Sequence, residues 1–215
     1  MAAGTREVYV VDDDEAIRDS LDTLLSSEGF DVKTFASARA FLEGCDRRAI
    51  GCLLLDVNMP GMDGLSLQER VVKDWPGLAV VIVTGHADVQ TAVRAMKAGA
   101  VDFIEKPFDR AVLSEIVRQA VERSKTAAAE RAQSDESLAR LALLSTRERE
   151  VLEGLVAGLP NKTIAYDLEI SPRTVEIYRA RLMDKMQAKS LPELIRMAVA
   201  AGVKPRDAQH VRKNT

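Results

Sequence analysis

Asp12, Asp13, Asp56, Thr84 and Lys106 all stand at the ends of short apolar runs, over residues 8–11, 52–55, 80–83 and 102–105. In a chain that alternates strand and helix, such run ends collect on one edge of a parallel sheet, where these folds hold their ligands. Three carboxylates, a hydroxyl and an ammonium at one edge suit a magnesium ion, a phosphoryl group and an aspartate that accepts it. A carboxylate attacks a phosphoryl donor poorly until negative charge around phosphorus is neutralised, so catalysis there is mostly positioning plus electrostatics. On this logic Asp56 is the nucleophile. Asp12 and Asp13 hold Mg2+ (or Mn2+) alongside it, as suits an ion that takes few carboxylates and keeps several waters. Lys106 pairs with phosphoryl oxygens as a point charge, and Thr84 hydrogen-bonds another. The bond before Pro107 is a candidate for cis. Taken singly, each residue has a duller use, such as an aspartate that caps a helix. Four correctly ordered strand ends carrying compatible groups favour the chemical reading.

The elements that must position these groups alternate five times. Strands fall over residues 8–11, 32–35, 53–55, 80–83 and around Phe103-Ile104, and helices over 14–27, 38–44, a stretch through Val71 and Val72, 89–98 and 110–123. The turn-rich Met59-Pro60-Gly61-Met62-Asp63-Gly64 follows the third strand. Strict alternation at these lengths predicts an α/β fold, a doubly wound five-stranded parallel sheet with helices on both faces. The uninterrupted apolar strands agree, because strands buried on both faces lose polar alternation.

Charge divides the chain. Residues 1–122 carry 13 Lys+Arg against 21 Asp+Glu, whereas residues 143–215 carry 13 against 9. An acidic front and a basic back suit a cation site in the first and a polyanion partner in the second. Cys45 and Cys52 match no zinc or redox spacing and read as small buried hydrophobes. The N-terminus lacks an apolar signal core, and no window approaches the ~20 apolar residues of a membrane span. The expectation is a cytoplasmic protein with no membrane partner.

Residues 124–142 are Ala- and charge-rich without aromatics, and read as a linker, helical near the fifth helix and looser beyond. The second half is all helical. Ser145-Thr-Arg-Glu148 is a capping box, Gly158 and Pro160 end that helix, and Asn161 is placed to cap the next. Ser171-Pro172 opens a further helix, and Ser190-Leu-Pro-Glu193 repeats the box. Two helices across the tight turn at 168–171 make a helix-turn-helix. Its second helix, 172–187, puts Thr174, Ile177 and Arg181 on one side, with Leu182 and Met186 inward. Arg173, Arg179, Arg181, Lys185 and Lys189 supply charge for DNA phosphates. A charge run on a helix is usually a solvated face; its place in a capped helix-turn-helix favours DNA. The division is 1–123, a 124–142 linker, a 143–203 small all-α domain, and a flexible tail over 204–215.

Val10-Val-Asp-Asp-Asp-Glu15, Leu55-Asp-Val-Asn-Met-Pro-Gly61, Val83-Thr-Gly-His86 and Phe103-Ile-Glu-Lys-Pro-Phe108 resemble response-regulator receiver domains over residues 6–123. The resemblance implies Asp56 as phosphoacceptor, Asp12 and Asp13 as acid-pocket residues, and the Asn58 backbone carbonyl as a further metal ligand. It implies a switch formed by Thr84 and Phe103, although Phe103 lacks the hydroxyl that a tyrosine would use. His86 flanks the site. Leu144-Ser-Thr-Arg-Glu-Arg-Glu-Val151, Asn161-Lys-Thr-Ile-Ala165 and Ile170-Ser-Pro-Arg-Thr-Val-Glu176 resemble the LuxR-type output domain. That likeness implies Glu176, Ile177 and Ala180 facing bases, Thr174, Arg173, Arg179 and Lys162 on phosphates, and a last helix that dimerises. Thr84-Gly-His-Ala-Asp88, the stretch 95–103 and Thr174-Val-Glu-Ile-Tyr-Arg179 are most similar to the nitrogen-fixation branch of such regulators. The implied partners are a sensor histidine kinase (a haem-based oxygen sensor in that branch), promoter DNA, RNA polymerase and a second copy of the chain after phosphorylation.

The rivals are an aspartyl-phosphate hydrolase and a constitutive DNA binder with a relic receiver. The hydrolase wants a second aspartate two residues past the nucleophile, where Asn58 stands. The relic is disfavoured by the complete pocket. The expectation is therefore a transcriptional regulator and not an enzyme.

Overall fold

A computed structural model of the chain describes residues 6–85 and 88–206. The first unit alternates β1 (Glu7–Val11), α1 (Glu15–Ser27), β2 (Asp31–Phe35), α2 (Ala38–Gly44), β3 (Gly51–Asp56), α3 (Gly64–Asp74), β4 (Leu78–Thr84), α4 (Val89–Lys97) and β5 (Asp102–Glu105), and closes with the N-terminal part of α5 (Arg110–Ala142). All strand pairs are parallel, in the order β2-β1-β3-β4-β5. Alternating strand side chains divide between two cores. Tyr9, Val11, Leu53 and Leu55 pack with α2, α3 and α4 through Phe41, Leu67, Val71 and Ala95. Val8, Val10, Cys52 and Leu54 pack with α1 and α5 through Leu21, Leu25, Leu113 and Val117. This is the doubly wound sheet expected of strands buried on both faces.

Four of its helices begin on a polar cap. Asp14, Ser37, Asp63 and Asp88 accept from the amides of Ala16, Ala40, Ser66 and Thr91, each satisfying a donor that the first helical turn leaves unpaired. Gly64 opens α3 directly against the strand end that carries Asp56. A Cβ there would collide with the Asp56 carbonyl oxygen, so only glycine lets the helix start so close.

The chain divides into two compact units between Ala129 and Glu130. The second contains α6 (Thr146–Val156), α7 (Asn161–Asp167), α8 (Pro172–Met186) and α9 (Leu191–Ala200) around Leu152, Ile164, Val175, Leu182, Met186 and Leu194. Leu141 and Leu144 belong to this core as well. Residues 124–142, expected to loosen, are helical up to Ala142.

The Ser145/Glu148 capping box forms in both directions. Two expected caps form differently. Asn161 is the first residue inside α7, after Pro160, and makes no cap bond, because its side-chain oxygen accepts from Arg179. Ser190 caps α9 through the Glu193 amide, but the Glu193 carboxylate reaches one residue further back, to the Lys189 amide. The described residues end at 206, so 207–215 of the expected tail lie outside them.

Candidate functional site

Register brings the predicted groups to one sheet edge. Val11 lies opposite Leu55, so Asp12 and Asp56 leave adjacent strands at the same level. Asp56 pairs with Val83, which sets Thr84 one step beyond on the next strand, and the Thr84 carbonyl accepts from the Lys106 amide at 2.8 Å. Lys106-Pro107 is cis. Asp12, Asp56 and Thr84 are only 3, 6 and 0% exposed. The Lys106 ammonium reaches both acids, 2.6 Å to Asp12 Oδ2 and 2.8 Å to Asp56 Oδ1. The second oxygens are held too: Asp12 Oδ1 accepts from the Asp14 amide at 2.9 Å and Asp56 Oδ2 from the Asn58 amide at 2.6 Å. The Arg18 guanidinium, which the motifs did not single out, donates to the Asp12 carbonyl at 2.8 Å.

Burial raises the Asp12 carboxyl above its ordinary value, against the lowering effect of Lys106. Burial also works against the Lys106 ammonium, but its bonds to Asp12 and Asp56 outweigh this and raise its pKa. The pocket is thus two acids sharing one cation, with the negative charge in excess and poorly solvated. Asp13 is exposed, and among the described residues no three acids, imidazoles or thiols converge tightly enough to enclose a metal. Two carboxylates drawn to one point by Lys106, with the exposed Asp13 next in the chain, still suit Mg2+, which is held through one or two carboxylates and its own waters. Phe103 is half-buried against the α2–α4 side of the core. His86 lies outside the described residues.

The second unit displays its candidate residues on an outer surface. Lys162, Arg173, Glu176, Ile177, Ala180 and Arg181 are exposed, and Thr174 is partly so, its hydroxyl 2.8 Å from that of the Ser171 cap. Val175, Leu182 and Met186 turn the other side of α8 into the core. Arg179 is half-buried, its guanidinium donating to Asn161 Oδ1 at 2.9 Å and joining α7 to α8. Lys185 departs from its expected phosphate role. Its ammonium lies 2.7 Å from the buried Glu148 carboxylate, which that bond, then the Ser145 amide, holds below the usual range.

Residues 8–118 match the response regulator receiver domain, and residues 142–198 match the bacterial regulatory proteins of the luxR family. The transcriptional regulatory protein FixJ of Bradyrhizobium diazoefficiens is 50% identical over 196 residues, covering 91% of this chain and 96% of FixJ. Among solved structures, response regulator StyR aligns with TM-score 0.78 at 39% identity, over 90% of this chain and 98% of StyR. Full-length FixJ from B. japonicum aligns with TM-score 0.54 at 50% identity, over 91% and 97%. The chain belongs to the response-regulator family, with a LuxR-type DNA-binding output. It is a FixJ-like transcription factor rather than an enzyme, and its domains imply a histidine kinase and DNA as partners. No described helix is long and apolar enough to cross a membrane.

Proposed function

We propose that Asp56 accepts a phosphoryl group from a sensor histidine kinase and that the charged chain dimerises and binds promoter DNA more tightly. The observation that carries this is the buried Asp12–Lys106–Asp56 triad beside Thr84. In the transfer, an Asp56 carboxylate oxygen forms a bond to phosphorus as the P–N bond of the donor phosphohistidine breaks, and a proton restores the neutral imidazole. Asp12, Asp13, Asp56 and the Asn58 carbonyl would hold Mg2+, which neutralises phosphoryl charge when bound. Lys106, already at the nucleophile, exchanges a carboxylate for a phosphoryl oxygen, and the Thr84 hydroxyl hydrogen-bonds another. Thr84 and Phe103 then carry the change to the α4–β5 face.

That face exposes Val89, Val93 and Met96, an apolar row on α4 suited to a second copy of the chain. Two linked output domains gain affinity for a two-fold site through effective concentration. On α8, Glu176, Ile177 and Ala180 face bases, while Arg173, Thr174, Arg179 and Arg181 of the same helix and Lys162 of α7 serve phosphates. Half identity to the transcriptional regulatory protein FixJ along nearly the whole chain supports transcriptional control; the motif resemblance to the nitrogen-fixation branch extends this reading to activation of nitrogen-fixation genes, with RNA polymerase recruited and a haem-based oxygen sensor as the kinase. The test is intact mass and solution molar mass after treatment with acetyl phosphate and Mg2+. One added phosphoryl group with conversion to a dimer, both absent in Asp56→Asn, is expected. Phosphorylation of a chain that stays monomeric would remove the dimerisation step.

A further inference from the structure

The end of α5 is built into the DNA-binding unit. Leu141 is buried in that unit's core, and Arg140 reaches the far end of the recognition helix. Its guanidinium donates to the Met186 carbonyl at 2.8 Å, to Gln187 Oε1 at 2.8 Å and to Glu136 on its own helix at 2.7 Å. Met186 is the last residue of α8, and Gln187 closes the helix at φ 52° in the left-handed region. Carbonyls in a final helical turn lack intrahelical donors and carry the negative end of the helix dipole, so a cation there is doubly favoured.

The fastening is reciprocal. The carbonyls at and just past the end of α5 receive Arg149 from α6 at Leu141 (3.1 Å) and Lys185 from α8 at Leu143 (3.3 Å). The two helix C-termini therefore brace each other through Arg140 and Lys185, and Arg149 ties α6 to the end of α5. The Arg140 side chain is only 19% exposed, so solvent screens its bonds weakly. A lysine could make one of its contacts but not the planar fork that spans Met186 and Gln187.

We propose that residues 130–142 are part of the DNA-reading unit and that Arg140 is a positioning residue for it, holding the C-terminal end of α8 at the angle that presents Glu176, Ile177 and Ala180. This rests on the DNA-binding reading above. Base-edge contacts tolerate little displacement, whereas phosphate contacts by long basic side chains tolerate more. Loss of Arg140 should therefore cost discrimination.

The test uses the full chain, a duplex selected by the wild type from a random pool, and a shuffled duplex of equal length. Arg140→Ala is expected to weaken binding to the selected duplex about ten-fold, the scale of one lost charge-assisted bond. It should narrow the ratio of selected to shuffled affinity and leave the salt slope unchanged. Arg140→Lys should recover part of the loss, and Gln187→Ala should lose less than Arg140→Ala. A folded Arg140→Ala chain with wild-type affinity and ratio would overturn the proposal, leaving Arg140 as packing alone. So would a salt slope lower by about one, which marks a direct phosphate contact. If Arg140→Ala does not fold, wild-type discrimination in both Arg140→Lys and Gln187→Ala would overturn it instead. Failure of the wild type to discriminate at all would sink the underlying DNA reading, a separate and recognisable result.

Discussion

The receiver pocket and the recognition helix place charge in opposite ways. Asp12, Asp56 and Thr84 lie inside the protein and their partners are protein groups, so the site is pre-paired and strongly coupled. Most of the residues on α8 that would meet DNA are exposed, and the more buried polar groups of that unit, Glu148 and Arg140, tie its helices to one another. Buried charge is costly unless paired, so a pocket that keeps two acids beside one cation is held together by its chemistry. Exposed charge is cheap and screened, so an interface can carry many cations that matter only when the polyanion arrives. Damage to the pocket should therefore appear in stability and chemistry together. Damage to the outer face of α8 should appear only in binding.

The largest expected effect lies in the pocket. Lys106→Ala leaves Asp12 and Asp56 facing each other without a cation, and should cost about 3 kcal/mol of receiver stability as well as phosphorylation by acetyl phosphate. Mg2+ should raise the melting temperature of this variant more than that of wild type, since the ion offsets the same repulsion. Equal Mg2+ responses in thermal melts would show that Lys106 and the ion do not share the site. In the second unit, Glu148→Ala removes the capping box and the Lys185 partner, and should cost about 2 kcal/mol. Denaturant melts should show the loss in the output unit while Asp56 phosphorylation stays at the wild-type rate.

Smaller effects separate the outer face of α8. Glu176→Gln should change base preference at one position by about 1 kcal/mol without altering the salt slope, whereas Arg173→Ala should weaken all sequences alike and reduce the slope by about one. Anisotropy titrations at several salt concentrations read both. The mildest test is pH. The Glu148 carboxyl is held below its ordinary 4.5, so its contribution is present above that value and lost as pH falls through the lowered native one. Glu148→Gln should flatten the acid limb of output-unit stability in that window; an unchanged limb would remove Glu148 from the account.

The same contrast explains what could be read from the residues alone. Polar groups closing apolar runs are conspicuous, and parallel register then dictates that Asp12, Asp56, Thr84 and Lys106 meet. The output helices were equally legible from Ser145, Glu148, Gly158 and Ser171, because caps are local. Partnerships distant along the chain left no such mark. Asn161 looked like a cap and instead binds Arg179, eighteen positions on. Lys185 looked like a phosphate contact and instead pairs with Glu148. Gln68, buried in α3, donates to the Ala95 carbonyl of α4 at 2.7 Å with no local signal at all. The 124–142 stretch lacks an obvious core pattern because Leu141, near its end, buries against helices that follow it.

The most direct measurement is DNA affinity for the selected duplex with and without acetyl phosphate and Mg2+, in wild type and Asp56→Asn. Treated wild type should bind more tightly and form dimers, and Asp56→Asn should show no change. Equal affinity in all four samples would contradict this and mark a DNA-binding protein whose receiver no longer governs the output.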